Sequence, residues 1–382
     1  MERAAPGGYS GYVGLSALHF LVAAPLAYIA VYLPLTLQEK GFDPAEIGAA
    51  LAAGSLAGFF GQLLWGTLSD RIGTSRNILV FLLPAAGMLL WGLYASPAVW
   101  AAALCAVAVR LCTTSLQPLT DSWTLAAGGT ADFGRYRLWG SVGYVLLTIG
   151  MGLAASHAGL AAVHVFQWIA LAGGTALAFA LRERRRQRAA AADWRQAGKL
   201  LRHGSSWTLL PFVLLAAVPA RAFESFLSLN AKQWGAGELT VAVLSVLEPA
   251  CEIPFLALGM AAVRRYGAER AMLAASLLYA AAWLLPLAFP TLAALAAAQL
   301  PAAGGTMLLY LALTVRLRTI LPEGMLATGQ TALFIILYSI SGTFGNLLGG
   351  ILLETGGSPA LFGAALLASG GAAAGFAVRL MP

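Results

Sequence analysis

Residues 77–95 read NILVFLLPAAGMLLWGLYA, nineteen positions without a charge. At about 1.5 Å per residue, a helix of that length crosses the roughly 30 Å hydrocarbon core of a bilayer. Polar and apolar residues do not alternate in it, nor in the run 271–285, which excludes the strands of an outer-membrane barrel. The chain around these runs is of the same kind. Its 382 residues are 59% hydrophobic and 10% charged, and its mean hydropathy is +0.78. An ordinary soluble domain is about 25% charged, so this chain has too few ionic side chains to cover a water-facing surface. A soluble enzyme, a nucleic-acid binder and a disordered chain are excluded, despite the formal charge of +7. The chain is an all-α membrane protein.

Apolar runs read against charge and turn clusters give twelve transmembrane helices, roughly 11–37, 46–68, 77–95, 98–121, 137–156, 159–181, 207–232, 239–262, 270–289, 291–315, 327–352 and 358–379. The first run is long and contains Pro25 and Pro34, so it is expected to remain as a span. Positive charge tests the count. With a cytoplasmic N-terminus, the inner side holds 19 of the 23 basic residues, the outer loops hold Lys40 and Lys232, and Arg110 and Arg221 lie inside spans. That bias is what the positive-inside rule requires. The expectation is a multi-pass protein of the inner (plasma) membrane with both termini cytoplasmic. The longest loop carries Arg-Glu-Arg-Arg-Arg-Gln-Arg from Arg182. It reads as a solvated basic linker, 182–206, between a six-helix bundle at 1–181 and another at 207–382. Cys105, Cys112 and Cys251 lie in apolar stretches without CxxC spacing, so neither a metal nor a disulfide is indicated.

The loop after the second span reads Gly66-Thr-Leu-Ser-Asp70-Arg71-Ile-Gly73-Thr-Ser-Arg76. The loop after the eighth reads Arg264-Arg265-Tyr-Gly267-Ala-Glu-Arg270. A shift of 194 residues superposes Arg71 on Arg265, Gly73 on Gly267 and Arg76 on Arg270. Two similar halves joined by a linker is a transporter architecture. Gly66-x-x-x-Asp70-Arg71-x-Gly73-x-x-Arg76 resembles the signature loop between helices 2 and 3 of the major facilitator superfamily. The sequence departs from that pattern at Thr74-Ser75, where a basic pair usually begins. Phe133-Gly-Arg135-Tyr-Arg137-Leu-Trp139-Gly140-Ser-Val-Gly143-Tyr, preceded by Gln117-Pro118-Leu-Thr-Asp121, resembles the branch that holds the phenylpropionate permease, related to lactose- and nucleoside-type proton symporters. The resemblance covers all twelve spans and implies two pseudo-symmetric six-helix bundles that transport by alternating access. It also implies a gating role for the loop residues, with Gly66 at a close approach and Asp70 in a latch. Arg135, Arg137 and Asp121 join that gating group. The bland alternative is a topogenic turn with a surface ion pair, worth little by itself. Small residues at Gly54 and Gly58, Gly140 and Gly143, and Ser341, Gly345 and Gly349 make flat helix faces, either sliding surfaces across the halves or static packing.

Ionisable residues at membrane depth are costly and mark function. Arg110, Thr114, Gln117 and Asp121 share one face of the fourth span, and Glu248 and Glu252 one face of the eighth. Counted from the inner ends, Arg221 and Glu248 are about 21 Å deep and Glu252 about 15 Å. Two carboxylates one turn apart in a medium of low dielectric resist being charged together. Glu248 and Glu252, with Glu224 nearby, are therefore the candidates for proton coupling. Arginine keeps its proton, so Arg110 and Arg221 are expected to anchor a substrate carboxylate or to serve as counter-ions; fixed ion pairs between helices are the structural alternative. Tyr28 and Tyr32, with Gln117, Tyr310 and Tyr338, are expected to line the substrate cavity. His19, about half a turn round from Tyr28, is expected to be a packed polar residue.

No Walker loop, GxSxG elbow or HExxH pair occurs. No enzyme activity, catalytic residue, metal or cofactor is expected, the proton being the coupling ion. The expected function is proton-coupled symport of a small organic solute by a monomer in the lipid bilayer, with no nucleic-acid partner. An aromatic or other carboxylate is favoured, and a sugar or nucleoside stays open. An exporter of the same fold and a non-transporting receptor or scaffold are the alternatives.

Overall fold

The computed structural model describes residues 9–183, 208–320 and 326–380. The basic linker falls almost wholly on 184–207, outside the described residues, as does Arg3. Among the described residues ten helices are long and apolar enough to cross a membrane, and two of them, Phe133–Ala180 and Ala332–Val378, are 48 and 47 residues long. Such a helix measures roughly 70 Å, more than twice the apolar thickness of a bilayer. Each is broken by a glycine at positive φ, Gly159 at 70° and Gly357 at 65°. No L side chain sits readily in that conformation and no α-helix runs through it. The result is twelve crossings: α1 (Tyr12–Glu39), α2 (Pro44–Ile72), α3 (Arg76–Ala95), α4 (Val99–Ala127), α5 (133–158), α6 (160–180), α7 (Leu210–Gln233), α8 (Glu238–Tyr266), α9 (Ala268–Ala288), α10 (Leu292–Ile320), α11 (326–356) and α12 (358–378). Helices are the form these segments must take, because backbone N–H and C=O groups in lipid have no other partners.

The repeat expected from one loop extends through the turns. Among the described residues six glycines have positive φ, and four of them form two pairs separated by 194 residues: Gly41 with Gly235, and Gly73 with Gly267. Their hydrogen bonds repeat as well. After α1, Gly41 N–H donates to Gln38 O and Phe42 N–H to Leu37 O; after α7, Gly235 N–H donates to Lys232 O and Ala236 N–H to Ala231 O. Both ends are Schellman caps, in which the glycine's conformation lets the next N–H reach back to an otherwise unpaired carbonyl. Gly73 N–H donates to Ser69 O, and Gly267 N–H to Val263 O. The third pair, Gly159 and Gly357, lies 198 residues apart.

Two helices contain a π-turn, Tyr28–Tyr32 in α1 and Ile335–Ile340 in α11. A π-turn leaves backbone groups out of step with the α ladder. Side-chain hydroxyls bond within or beside both segments: Thr36 donates to Tyr32 O at 2.8 Å and Ser341 to Ile336 O at 2.8 Å. In α4 the chain turns at Thr114–Ser115. Pro118 has no N–H for Thr114 O, and that carbonyl accepts instead from Gln62 Nε2 at 3.2 Å.

The chain clusters into two compact units. One comprises residues 1–42, 53–191 and 237–243; the other comprises 43–52, 192–236 and 244–382. In the first, Trp123, Tyr28 and Tyr32 are wholly buried; in the second, Trp283, Tyr279, Phe226, Phe362 and Phe376 are. The glycine faces pack inside the units. Gly54 and Gly58 receive Arg110 and Thr114 of α4, Gly143 meets the Phe20 backbone, and Gly345 and Gly349 pack on α7. Of the two readings left open, static packing is the one these contacts fit, since the partners are neighbours in the same unit. Gly48, not singled out by the sequence, makes the tighter approach. A Cβ there would lie 2.9 Å from Gly350 Cα of α11, and Glu354 accepts the Ala45 N–H at the start of α2 at 3.1 Å.

Candidate functional site

In the second unit, α7 to α11 gather a polar cluster. Arg221 of α7 forms an ion pair with Glu224 one turn on, and its guanidinium lies over the Tyr338 ring at 4.9 Å. The π-turn of α11 carries Tyr338. Tyr338 stacks on Phe334 at 5.3 Å, and Phe334 meets Tyr310 of α10 at 5.8 Å. Across the cluster, Thr306 of α10 donates to Glu248 Oε1 of α8 at 3.2 Å, and the Tyr279 hydroxyl of α9 lies 3.0 Å from Thr306 Oγ1. Tyr279 is fixed from behind by stacking on Trp283 at 5.7 Å, whose indole N–H donates to Ser369. Gly305 gives the Tyr279 ring room, since a Cβ there would come within 2.8 Å of it.

Arg221, Tyr279, Thr306, Tyr310 and Tyr338 line a notch of about 10 Å³, room for about one water molecule. Glu224 and Tyr338 beside it are 45% and 41% exposed. Charge decides what the cluster can do. It holds one arginine and three carboxyl groups, Glu224, Glu248 and Glu252, all acting on one another. Three carboxylates beside one cation at membrane depth repel one another when all are ionised.

The first unit has a second cluster, and it is balanced. Asp121 of α4 accepts from Gln117 Nε2 at 2.9 Å and faces Arg137 Nε of α5 at 3.6 Å. Gln117 also reaches His19 Nδ1 at 3.2 Å, and His19 Nε2 lies 2.8 Å from Thr124 Oγ1. Thr124 has already donated its hydrogen to Thr120 O, so His19 Nε2 is the donor and Nδ1 the acceptor. That is the neutral imidazole. Gly140 opens the space in which Arg137, Gln117 and the His19 carbonyl converge.

Comparison with known proteins identifies the family. The MFS_1 like family matches residues 12–364. The chain belongs to this family. It is a multi-pass membrane transporter of the major facilitator type, as its relatives and its fold both are. A maltose permease of Geobacillus stearothermophilus is 27% identical over 282 residues, 72% of this chain and 70% of its own length. The solved nucleoside transporter NupG superposes with a TM-score of 0.79 at 15% identity, covering 97% of this chain and 99% of its own. A POT family transporter in complex with a thioalcohol-conjugated peptide gives 0.73 at 10% identity, over 98% and 97%. At those identities the two structures speak for the fold.

Within this facilitator the expected site residues separate. Arg221, Glu224, Glu248, Glu252, Tyr310 and Tyr338 come together; Gln117, Asp121 and Arg137 form the other cluster. Arg110 packs on Gly54 two turns along α4 from Gln117. Tyr28 and Tyr32, expected to line the substrate cavity, are not among the residues of the notch. Both are wholly buried, Tyr28 against Thr36 at 3.0 Å and His164 at 3.5 Å, and Tyr32 donating to Thr148 O at 3.4 Å. His19 is a packed polar residue, as expected, and faces α4 where they face α5 and α6. Tyr279 and Thr306 complete the acid-rich cluster; Tyr279 was not anticipated, since a tyrosine in an apolar helix has no periodic signal of its own.

The signature loop separates too. Arg76 donates to Ala178 O and Phe179 O at 3.0 and 2.7 Å, while Glu183 accepts the Arg76 backbone N–H at 2.6 Å. The two residues thus cap each other's helices, α6 at its negative end and α3 at its positive end. Gly66 makes no close approach, since a Cβ there would meet nothing within 4 Å. Asp70 and Arg71 are exposed, with no hydrogen bond or ion pair among the described residues. Arg135 lies over the Tyr12 ring at 5.5 Å.

Proposed function

We propose that this facilitator is a proton-coupled symporter of a small, neutral, hydroxylated solute, acting as a monomer in the inner membrane with both termini cytoplasmic. The observation that carries the reading is the excess of carboxyl groups over cations around Glu248. An acid-rich, proton-exchanging wall suits coupling, and it is a poor seat for a substrate carboxylate. Arg221, expected to anchor such a carboxylate, is already engaged by Glu224 and Tyr338. Hydroxyl groups, by contrast, donate readily to carboxylates, and the tyrosine rings offer flat faces for a sugar or nucleoside. The maltose permease named above, a relative by sequence, agrees with that class.

In the mechanism, the open site takes a proton on Glu248 or Glu252 and then the solute. Neutralising the cluster lowers the cost of enclosing it away from water, which allows the site to close and reopen on the other side. Proteoliposomes loaded with a pH-sensitive dye test the reading with maltose, uridine and 3-phenylpropionate. A neutral solute is expected to acidify the interior, and Glu248→Gln to abolish the signal. Acidification by 3-phenylpropionate alone would return Arg221 to the role of carboxylate anchor. Solute moving against an inward proton gradient would make the protein an exporter.

A further inference from the structure

Glu248 is not among the residues that line the notch; Thr306 and Tyr279 are. A proton taken up by Glu248 therefore acts on the notch at one remove, and the hydrogen bonds prescribe how. Thr306 has a single hydroxyl hydrogen, and it is spent on Glu248 Oε1, because an ionised carboxylate can only accept. At the 3.0 Å contact with Tyr279 the threonine oxygen must then accept, and the phenol donates. With Glu248 ionised, the chain runs Tyr279 O–H to Thr306 O–H to Glu248, and the side of the phenol oxygen facing the notch carries lone pairs only.

We propose that Thr306 and Tyr279 relay the protonation of Glu248 to the notch, where the Tyr279 hydroxyl offers its hydrogen to a solute only when Glu248 carries a proton. Protonated Glu248 donates to Thr306 Oγ1. The threonine hydrogen turns to the Tyr279 oxygen, and the phenol hydrogen is released toward the notch. No covalent bond to carbon changes; one proton is added at Glu248 and two hydroxyl hydrogens rotate. A hydroxylated solute finds the Tyr279 donor only after the proton has bound, which favours that order of binding. Tyr279 is held for this by its stack on Trp283 and by Gly305 beneath its ring. The other ionisable groups acting on the chain are Arg221 and Glu224 of α7, Glu252 of α8 and Tyr338 of α11. None of these is bonded to Thr306.

The inference rests on the symport reading, and a solute-free measurement separates the two. Infrared difference spectra between acid and alkaline pH, taken on the lipid-reconstituted protein, report the carboxyl band of Glu248 (absent in Glu248→Gln) and the phenol C–O band of Tyr279 (absent in Tyr279→Phe). The two bands are expected to change with one midpoint in the wild type. In Thr306→Val, which keeps the shape and loses the hydroxyl, the tyrosine band no longer follows the carboxyl band, and Thr306→Ser restores it. A tyrosine band that does not respond to pH in the wild type overturns the relay. So does one that still follows Glu248 in Thr306→Val. In the vesicle assay, wild-type half-saturation by whichever neutral solute is carried should weaken about threefold to tenfold from acid to alkaline pH, one hydrogen bond's worth. Thr306→Val should flatten that change. If no neutral solute moves protons, the symport reading fails, and the infrared arm still decides the relay.

Discussion

The two polar clusters sit on scaffolds that repeat each other and differ in one respect, their charge balance. In the first unit, Asp121 answers Arg137, and His19 is neutral between Gln117 and Thr124. In the second, one arginine faces three carboxyl groups. On the proposed reading, the balanced cluster holds helices or recognises polar groups, and the unbalanced one is where protons are exchanged. The duplicated caps at Gly41 and Gly235 show that the chain keeps its turns while its site chemistry diverges.

Replacing one acid in each cluster tests that contrast with the largest expected effect. Glu248→Gln should reduce concentrative, proton-driven uptake to equilibration, with solute exchange persisting. Asp121→Asn should keep the coupling and weaken the fold by about 1–3 kcal/mol, because Arg137 loses its carboxylate partner; thermal unfolding beside a flux assay reads both. Equal loss of coupling from both replacements would break the comparison.

Next come the close backbone approaches, which the two units share. Gly48→Ala and Gly143→Ala each drive a methyl into backbone, at 2.9 Å from Gly350 Cα and 2.8 Å from Phe20 Cα. Each should cost about 1–3 kcal/mol, seen as a lower melting temperature, with Gly66→Ala as the neutral control. Somewhat smaller, Gly41→Ala and Gly235→Ala should cost about 1–2 kcal/mol each and nearly the same as each other, since both force a side chain into the left-handed region. A large difference between them would show that the repeat is only geometric.

The smallest effect belongs to the reciprocal caps. Arg76→Gln and Glu183→Gln should each cost about 1 kcal/mol. The exchanged pair Arg76→Glu with Glu183→Arg should be worse than either, because each side chain serves a helix end rather than the other side chain. Rescue by the exchange would reveal a simple ion pair instead.

Much of this was legible in the sequence. Apolar runs and charge bias gave the twelve crossings, because a bilayer imposes one length and one sign on every span and loop. Glu248, Glu252 and Arg221 were legible for the same reason, a charge in lipid being conspicuous. His19 was legible as a packed polar residue, whereas the direction of Tyr28 and Tyr32 was not, because a helix with Pro25 and a π-turn does not keep ideal angular spacing. Gly48 was passed over since its partner, Gly350, lies 302 positions away and no periodicity links them. Thr306 and Tyr279 acquire meaning only through a distance, which no one-dimensional pattern holds.

The contact of α2 with α11 has a thermodynamic consequence. At Gly48 and Gly350 two backbones touch without a side chain from either. Joining surfaces of that kind freezes no rotamers, and parting them releases none. Its free energy is then nearly all enthalpy of close fit, with Glu354 at the helix end adding one hydrogen bond. A joint so poor in side-chain entropy can open and re-form quickly, with nothing to re-sort each time it closes.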